Sequence, residues 1–176
     1  MDNNQRLAQI KEQFIKAGVS DLFGTKKEVK ALPELLDEDE IVLYATSGFV
    51  DKGTVLVVIT DKRLVFVNRG LIYGTDFKEI SFDHVNAVSY SKGMVLAKIS
   101  VTNGADTTLI SQVAKDTAPK FVDVLKHAIA DSHHQSQPVA SSDNSVNNLR
   151  NLKMLLDEGI ITQEDFDAKK KQILGI

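Results

Sequence analysis

Between residues 40 and 113 the chain breaks seven times into short stretches rich in β-branched and aromatic residues. They read EIVLYATSGF, TVLVVIT, RLVFVN, DFKEISF, VNAVSYS, MVLAKISV and DTTLISQV. Each is bounded by turn-forming residues: DKG at 51–53, TDKR at 60–63, NRG at 68–70, KG at 92–93 and NG at 103–104. Stretches of this length and composition are strands, and connections this tight join strands into an antiparallel meander. Asn103-Gly104 is the strongest hairpin signal, and the expected turn is type I′, which needs positive φ at both central residues. Seven such strands curl into a sandwich or barrel.

One helix follows the strands. Asp116 or Thr117 caps it, and Pro119 suits its first turn. Phe121, Val124, Leu125, Ala128 and Ile129 recur at i, i+3, i+4, i+7 and i+8, a stripe wide enough to cover a sheet opening. The fold class is therefore α+β: a seven-stranded antiparallel barrel or sandwich capped by a helix. Ahead of the strands, Leu7, Ile10, Phe14 and Ala17 give residues 4–17 one apolar helical face, which Gly18 ends. A second helical piece covers 26–31, and Pro33 starts a turn through Leu36. After the strands and helix, SHHQSQPVASSDNS at 132–145 is polar and Ser-rich, the composition of a flexible linker. Two short helices, about 146–158 and 163–174, close the chain. The expected parts are a helical arm at 1–24, the strand-and-helix domain at 25–131, the linker at 132–145 and the helical pair at 146–176.

The final pair carries several agreeing local signals. Leu149, Leu152 and Leu156 share a face of the first helix, and Gly159 sits where a left-handed stop is expected. Thr162 is an N-cap with Asp165 completing a capping box, and Ile161 staples to Phe166. Ile173 shares the Phe166 face seven positions on. A DNA-reading helix-turn-helix is disfavoured by charge. The segment from Val146 holds five basic residues (Arg150, Lys153, Lys169, Lys170, Lys171) and five acidic ones (Asp157, Glu158, Glu164, Asp165, Asp167), where phosphate binding needs a basic excess. About thirty residues are too few to stabilise a core alone. Leu149, Leu152, Leu156, Ile161, Phe166 and Ile173 are therefore expected to pack on another surface: a second copy, the strand domain or a foreign partner.

Composition narrows the function. The 176 residues have 43% hydrophobic and 26% charged content and a formal net charge of -3, the balance of a globular protein without general attraction to nucleic acid or anionic lipid. The absence of cysteine excludes disulfides and thiolate metal sites. Apolar runs such as Val55–Ile59 are too short to span a bilayer. The polar, amphipathic start lacks the pattern of a signal peptide, so a cytoplasmic location is expected.

Two resemblances add to this reading. LRNLKMLLDEGIITQEDFDAKKKQIL resembles the SHOCT (short C-terminal) module of bacterial and phage proteins. Leu149, Leu152, Leu155, Gly159, Ile160, Ile161, Thr162, Glu164, Phe166, Lys169, Lys170 and Leu174 match its pattern. The resemblance implies oligomerisation or interaction, with no catalytic role. LPELLDEDEIVLYATSGF followed by VLVVITDKRLVFVNRG is similar to bacterial pleckstrin-homology (PH) domains of the YokE-like type, through Leu32-Pro33, Leu36, Glu40 and Thr60-Asp61-Lys62-Arg63-Leu64. It covers about residues 25–130 and implies seven strands and one helix. In eukaryotic relatives the first hairpin supplies Lys and Arg to inositol phosphates. Here that hairpin is FVDKGTVLVV, with Asp51 beside Lys52 and no further cation before Lys62, so the convergent charge of a phosphate site is missing.

Signals for catalysis are absent. His84, His127, His133 and His134 are scattered, adjacent residues such as the last two chelate poorly, and no phosphate loop or nucleophile elbow is present. No cofactor, metal or catalytic residue is expected. The reading is a non-enzymatic protein-interaction or oligomerisation module of a bacterial or prophage protein. A peripheral membrane adaptor touching lipid through its loops is the alternative, and a nucleic-acid-binding regulator is the weaker one.

Overall fold

The computed structural model describes residues 2–51, 53–69, 75–135, 153, 156 and 162–174. The chain divides into two compact units, 1–134 and 135–176. In the first, seven strands form one open antiparallel sheet: β1 Val42–Val50, β2 Gly53–Thr60, β3 Arg63–Arg69, β4 Thr75–Ser81, β5 Val85–Lys92, β6 Ala97–Asn103 and β7 Asp106–Val113. Their spatial order is β4-β3-β2-β1-β7-β6-β5. Two meanders thus meet at β1 and β7, and β4 and β5 are the edges. A single 3-10 turn, Phe82–His84, carries the chain from one edge to the other.

The β1–β7 seam is tight. Phe49 pairs with Ser111, whose hydroxyl donates to the Phe49 carbonyl at 3.0 Å. A Cβ on Gly48 would lie 2.3 Å from Ile110 Cγ2, so only glycine lets the strands approach this closely. Beside it, β7 carries one extra residue between Ile110 and Val113, with Gln112 at φ 58. This is a bulge, which bends the strand as it crosses from one meander to the other.

Side chains alternate across a strand, yet Val55–Ile59 of β2 and Leu64–Val67 of β3 are apolar at every position. Both faces are covered. On one, Tyr44, Val57, Ile59, Leu64 and Phe66 join Ile99, Ile110 and Val113, and α3 (Thr117–Gln135) adds Phe121, Leu125 and Ala128. Tyr44 and Phe121 meet edge to face at 6.5 Å. On the other, Leu56, Val58, Val65 and Val67 receive Ile10 and Phe14 of α1 (Asn3–Lys16) and Val29 and Leu32 of α2 (Lys26–Leu35).

Three details differ from the expectations. The helix expected at 26–31 runs on to Leu35 with Pro33 inside it. Pro33 falls in the last turn; it has no N–H to give the Val29 carbonyl, but the Leu36 amide still bonds the Leu32 carbonyl at 2.9 Å and closes the helix beyond it. The expected type I′ turn is not formed: Asn103 pairs with Asp106, leaving Gly104-Ala105 as the loop. Only Gly104 has positive φ, 61°, the pattern of a turn with glycine first. Finally, α3 extends through His133 and His134 to Gln135, into the stretch expected as linker. The Ser132 hydroxyl there bonds back to the Ile129 carbonyl at 2.8 Å. In the second unit, α4 spans Gln163–Leu174, and Lys153 and Leu156 are helical.

If the sheet has two cores, the two covers should matter alike. Ile10→Ala is expected to cost about 2–5 kcal/mol and Phe121→Ala about 3–5 kcal/mol, measured by urea unfolding of the full chain. A loss below about 0.5 kcal/mol for Ile10→Ala is the size of a surface change, and would place α1 outside the core.

Candidate functional site

The densest polar constellation lies where α2 hands over to β1 and β2 turns into β3. It contains the residues that carry the PH resemblance. Glu40 is completely buried. Its Oε1 accepts from Arg63 Nε at 3.0 Å and from the Thr60 hydroxyl at 2.7 Å. Its Oε2 accepts from Arg63 Nη2 at 2.8 Å and from the Asp37 amide at 3.0 Å. Asp61 exchanges bonds with Ile41: its amide donates to the Ile41 carbonyl at 2.9 Å, and its carboxylate accepts the Ile41 amide at 2.8 Å. Lys62 reaches Asp39 at 2.9 Å and Asp37 at 3.2 Å. Arg63 also pairs with Glu79 and lies 5.8 Å from the Phe77 ring centroid. Arg6, itself buried, sends Nη2 to the carbonyls of Asp37 and Glu40 at 2.8 and 2.5 Å, so the cluster also holds α1.

Burial opposes ionisation of Glu40, but the hydrogen bonds from Arg63, Thr60 and the Asp37 amide, with the Arg63 charge, outweigh it. They hold the carboxyl below its ordinary value. The Glu40 bonds raise Arg63 further above its ordinary value, against its own desolvation, so it stays charged. The buried Glu40 carboxylate has all four of its hydrogen bonds from protein groups. The arrangement is a structural clamp joining α1, α2, β1 and the β2–β3 turn.

The other residues singled out from sequence do not converge. His84 ends the 3-10 turn before β5, His127 is exposed on α3, and His133 Nδ1 lies 3.5 Å from Asp83 Oδ1. His134 falls in α3. No group of three or more metal-ligating side chains occurs among the described residues. Of the expected interaction residues, Leu156 and Phe166 are half-buried and Ile173 lies in α4. Leu149, Leu152 and Ile161 lie outside the described residues. Thr162 accepts the Phe166 amide on its carbonyl at 3.0 Å, the first turn of α4. In the first hairpin Asp51 adopts φ 51, and Lys52 lies outside the described residues.

One feature went unremarked in the sequence. The β5–β6 hairpin tip presents Met94 and Val95, 96% and 79% exposed, beside Leu96. Lys92 and Lys98 flank them, and Lys115 donates its ammonium to the Met94 carbonyl. The signal was the run MVL directly after a Gly turn, which was read as the start of a strand; β6 begins three residues later, at Ala97.

The clamp makes a pH prediction. Because the folded Glu40 carboxyl is held low, its stabilisation is fully present above the unfolded value of about 4.3. It is lost as pH falls through the lower folded value. Glu40→Gln should cost about 1.5–3 kcal/mol at pH 7, the worth of charge-assisted hydrogen bonds. In unfolding measured from pH 7 to pH 3, the gap from wild type should narrow in acid. A gap constant with pH would mean that the charge is not what Arg63 and Thr60 hold.

The chain is similar to several known proteins. An uncharacterised protein of Archaeoglobus fulgidus is 22% identical over 184 residues, covering 81% of this chain and 97% of its own length. A pleckstrin homology domain from Shewanella amazonensis has a TM-score of 0.42 at 15% identity, over 59% of this chain and 97% of that one. A Shewanella loihica protein with a pleckstrin-homology domain has a TM-score of 0.40 at 13% identity, over 61% of this chain and 92% of that one. The family model described as a short C-terminal domain, SHOCT, matches residues 148–174. Residues 36–127 match the model described as a bacterial PH domain. Both are families of non-catalytic modules that act through protein or lipid contacts. The PH match takes in more than half of the residues and coincides with the sheet, its clamp and most of α3, and the chain belongs to the bacterial PH domain family.

Proposed function

We propose that the chain is a non-enzymatic cytoplasmic adaptor in which the PH unit is the carrier and the SHOCT pair associates with protein, a second copy of itself first. The observation that carries this reading is the completeness of the carrier. Both faces of its sheet are covered by helices from residues 3–35 and 117–135, so residues 146–176 are not needed to close a core. A helical pair too small to stabilise itself, attached to a domain that does not need it, is suited to intermolecular packing. The polar residues Gln163, Glu164, Asp167, Lys169, Lys170 and Lys171 of α4 are exposed while Phe166 is half-buried, as expected of an amphipathic contact helix. Among the described residues no helix is long and apolar enough to cross a membrane.

Light scattering after gel filtration tests this. The full chain is expected to run as an oligomer and residues 1–134 as a folded monomer. Phe166→Ala should shift the full chain toward monomer. Thr162→Ala, which removes an N-cap worth about 0.5–2 kcal/mol, should loosen α4 with less effect on mass. A full chain that is monomeric at high concentration sinks self-association and leaves a foreign protein as the partner.

The β5–β6 tip favours a second reading, contact with an anionic membrane surface. Exposed Met94 and Val95 can enter the interface while Lys92, Lys98 and Lys115 face the headgroups. Flotation with phosphatidylserine vesicles should then recover wild type and lose Met94→Asp/Val95→Asp. Equal recovery of both removes this reading.

A further inference from the structure

We propose that the α1–α2 helical hairpin is a second self-association surface, in which the lysine-rich end of one copy seats against the carboxylate-rich end of the next. The two helices run antiparallel, because Arg6 near the start of α1 bonds the carbonyls of Asp37 and Glu40 just beyond the end of α2. One end of the pair therefore gathers Lys16, Lys26 and Lys27, with Lys30 one turn on. All four are exposed and have no carboxylate partner among the described residues. The other end gathers Glu34, Asp37, Glu38 and Asp39, also exposed, with Lys62 shared between Asp37 and Asp39.

This pattern runs against what α2 itself favours. A helix is stabilised by acidic residues in its first turn and basic ones in its last. α2 opens on two exposed lysines, has no basic residue in its last turn, and is followed by Asp37, Glu38 and Asp39. Lys26 and Lys30 add a like-charge pair at i and i+4, which also costs stability. The one acid of the first turn, Glu28, is buried and accepts the Arg69 amide at 2.9 Å, so it ties α2 to β3. Charges set against the local preference of a helix mark a surface under another constraint, and a partner of opposite charge at each end relieves both. A second copy supplies both partners at once. Ends of like charge repel, so a two-fold contact through either end is disfavoured and the joint is head to tail. Each end also offers an apolar residue: Phe23, 88% exposed, lies before the first turn of α2, and Ile41, 49% exposed, follows the acidic run. Phe23 of one copy against Ile41 of the next gives the joint a centre inside its ion pairs. Occupancy rests on the association proposed above. Exposed ion pairs are individually weak, whereas copies tethered through residues 146–176 meet at an effective concentration on the order of 1 mM.

The test uses the full chain, mixed from isotopically light and heavy protein and treated with a carbodiimide, which couples an ammonium to a carboxylate in contact. At about 20 mM salt, light-to-heavy cross-links are expected between Lys26 or Lys27 and residues 34–39, falling about fivefold or more at about 500 mM salt. Lys26→Glu/Lys27→Glu should abolish them and raise the urea midpoint of unfolding, because it removes charges that α2 disfavours. Glu34→Lys/Asp39→Lys should abolish them too. An equimolar mixture of the two variants should restore them, between the unchanged lysines of one and the unchanged carboxylates of the other. An oligomer by light scattering that gives no light-to-heavy links overturns this joint and leaves association through residues 146–176 standing. A chain that is monomeric at gel-filtration concentration removes that association; links at about 1 mM protein then still support the joint, and their absence overturns it. Links that survive in either variant alone, or a midpoint that falls in Lys26→Glu/Lys27→Glu, overturn it as well. So does loss of phosphatidylserine flotation in Lys26→Glu/Lys27→Glu with no light-to-heavy links in wild type, which gives the lysine end to lipid.

Discussion

Val55–Ile59 and Leu64–Val67 are apolar at every position, and strands of that kind cannot have a wet side. A half-buried strand would alternate, whereas these two present core to both faces. α1 and α2 ahead of the sheet and α3 after it answer that demand. α3 fills the face lined by Tyr44, Ile59 and Leu64. α1 and α2 fill the face lined by Leu56, Val58 and Val65. Each buried aliphatic or aromatic side chain contributes on the order of 1.5–3 kcal/mol, so neither layer is dispensable. The outcome is a three-layer unit in which the sheet is the middle layer.

The layers need a fastening, because helices on the far side of a sheet have no backbone bonds to it. The Glu40–Arg63 pair and its neighbours supply one. Arg6 brings α1 to the same point through the Asp37 and Glu40 carbonyls, and Thr60 and Asp61 bring in the β2–β3 turn. The residues that make the chain recognisable as a PH domain are thus those that hold its layers in register.

All seven strands and the α3 stripe were legible because turn residues punctuate the sheet and because apolar residues at i, i+3, i+4 and i+7 are hard to produce by chance. Phe121, Leu125 and Ala128 are indeed buried. The second core was less legible. Its sign was the uninterrupted TVLVVIT, since an alternating pattern is what a one-sided sheet writes. Local signals misled where tertiary packing overruled them. Pro33 was read as a boundary, but Leu32 and Leu36 dock on the sheet and carry the helix through it. Asn103-Gly104 was read as the turn, but the pairing of Asn103 with Asp106 shifts the loop by one residue.

The docking of α1 on β2 and β3 fixes an order of events during synthesis. α1 leaves the ribosome ahead of the strands, with Ile10 and Phe14 on one face, but the wall they rest on ends at Val67. At about 5–20 residues per second, that wall arrives roughly 3–10 s after the helix. For those seconds the apolar face of α1 has no sheet to cover, and its burial waits on β3.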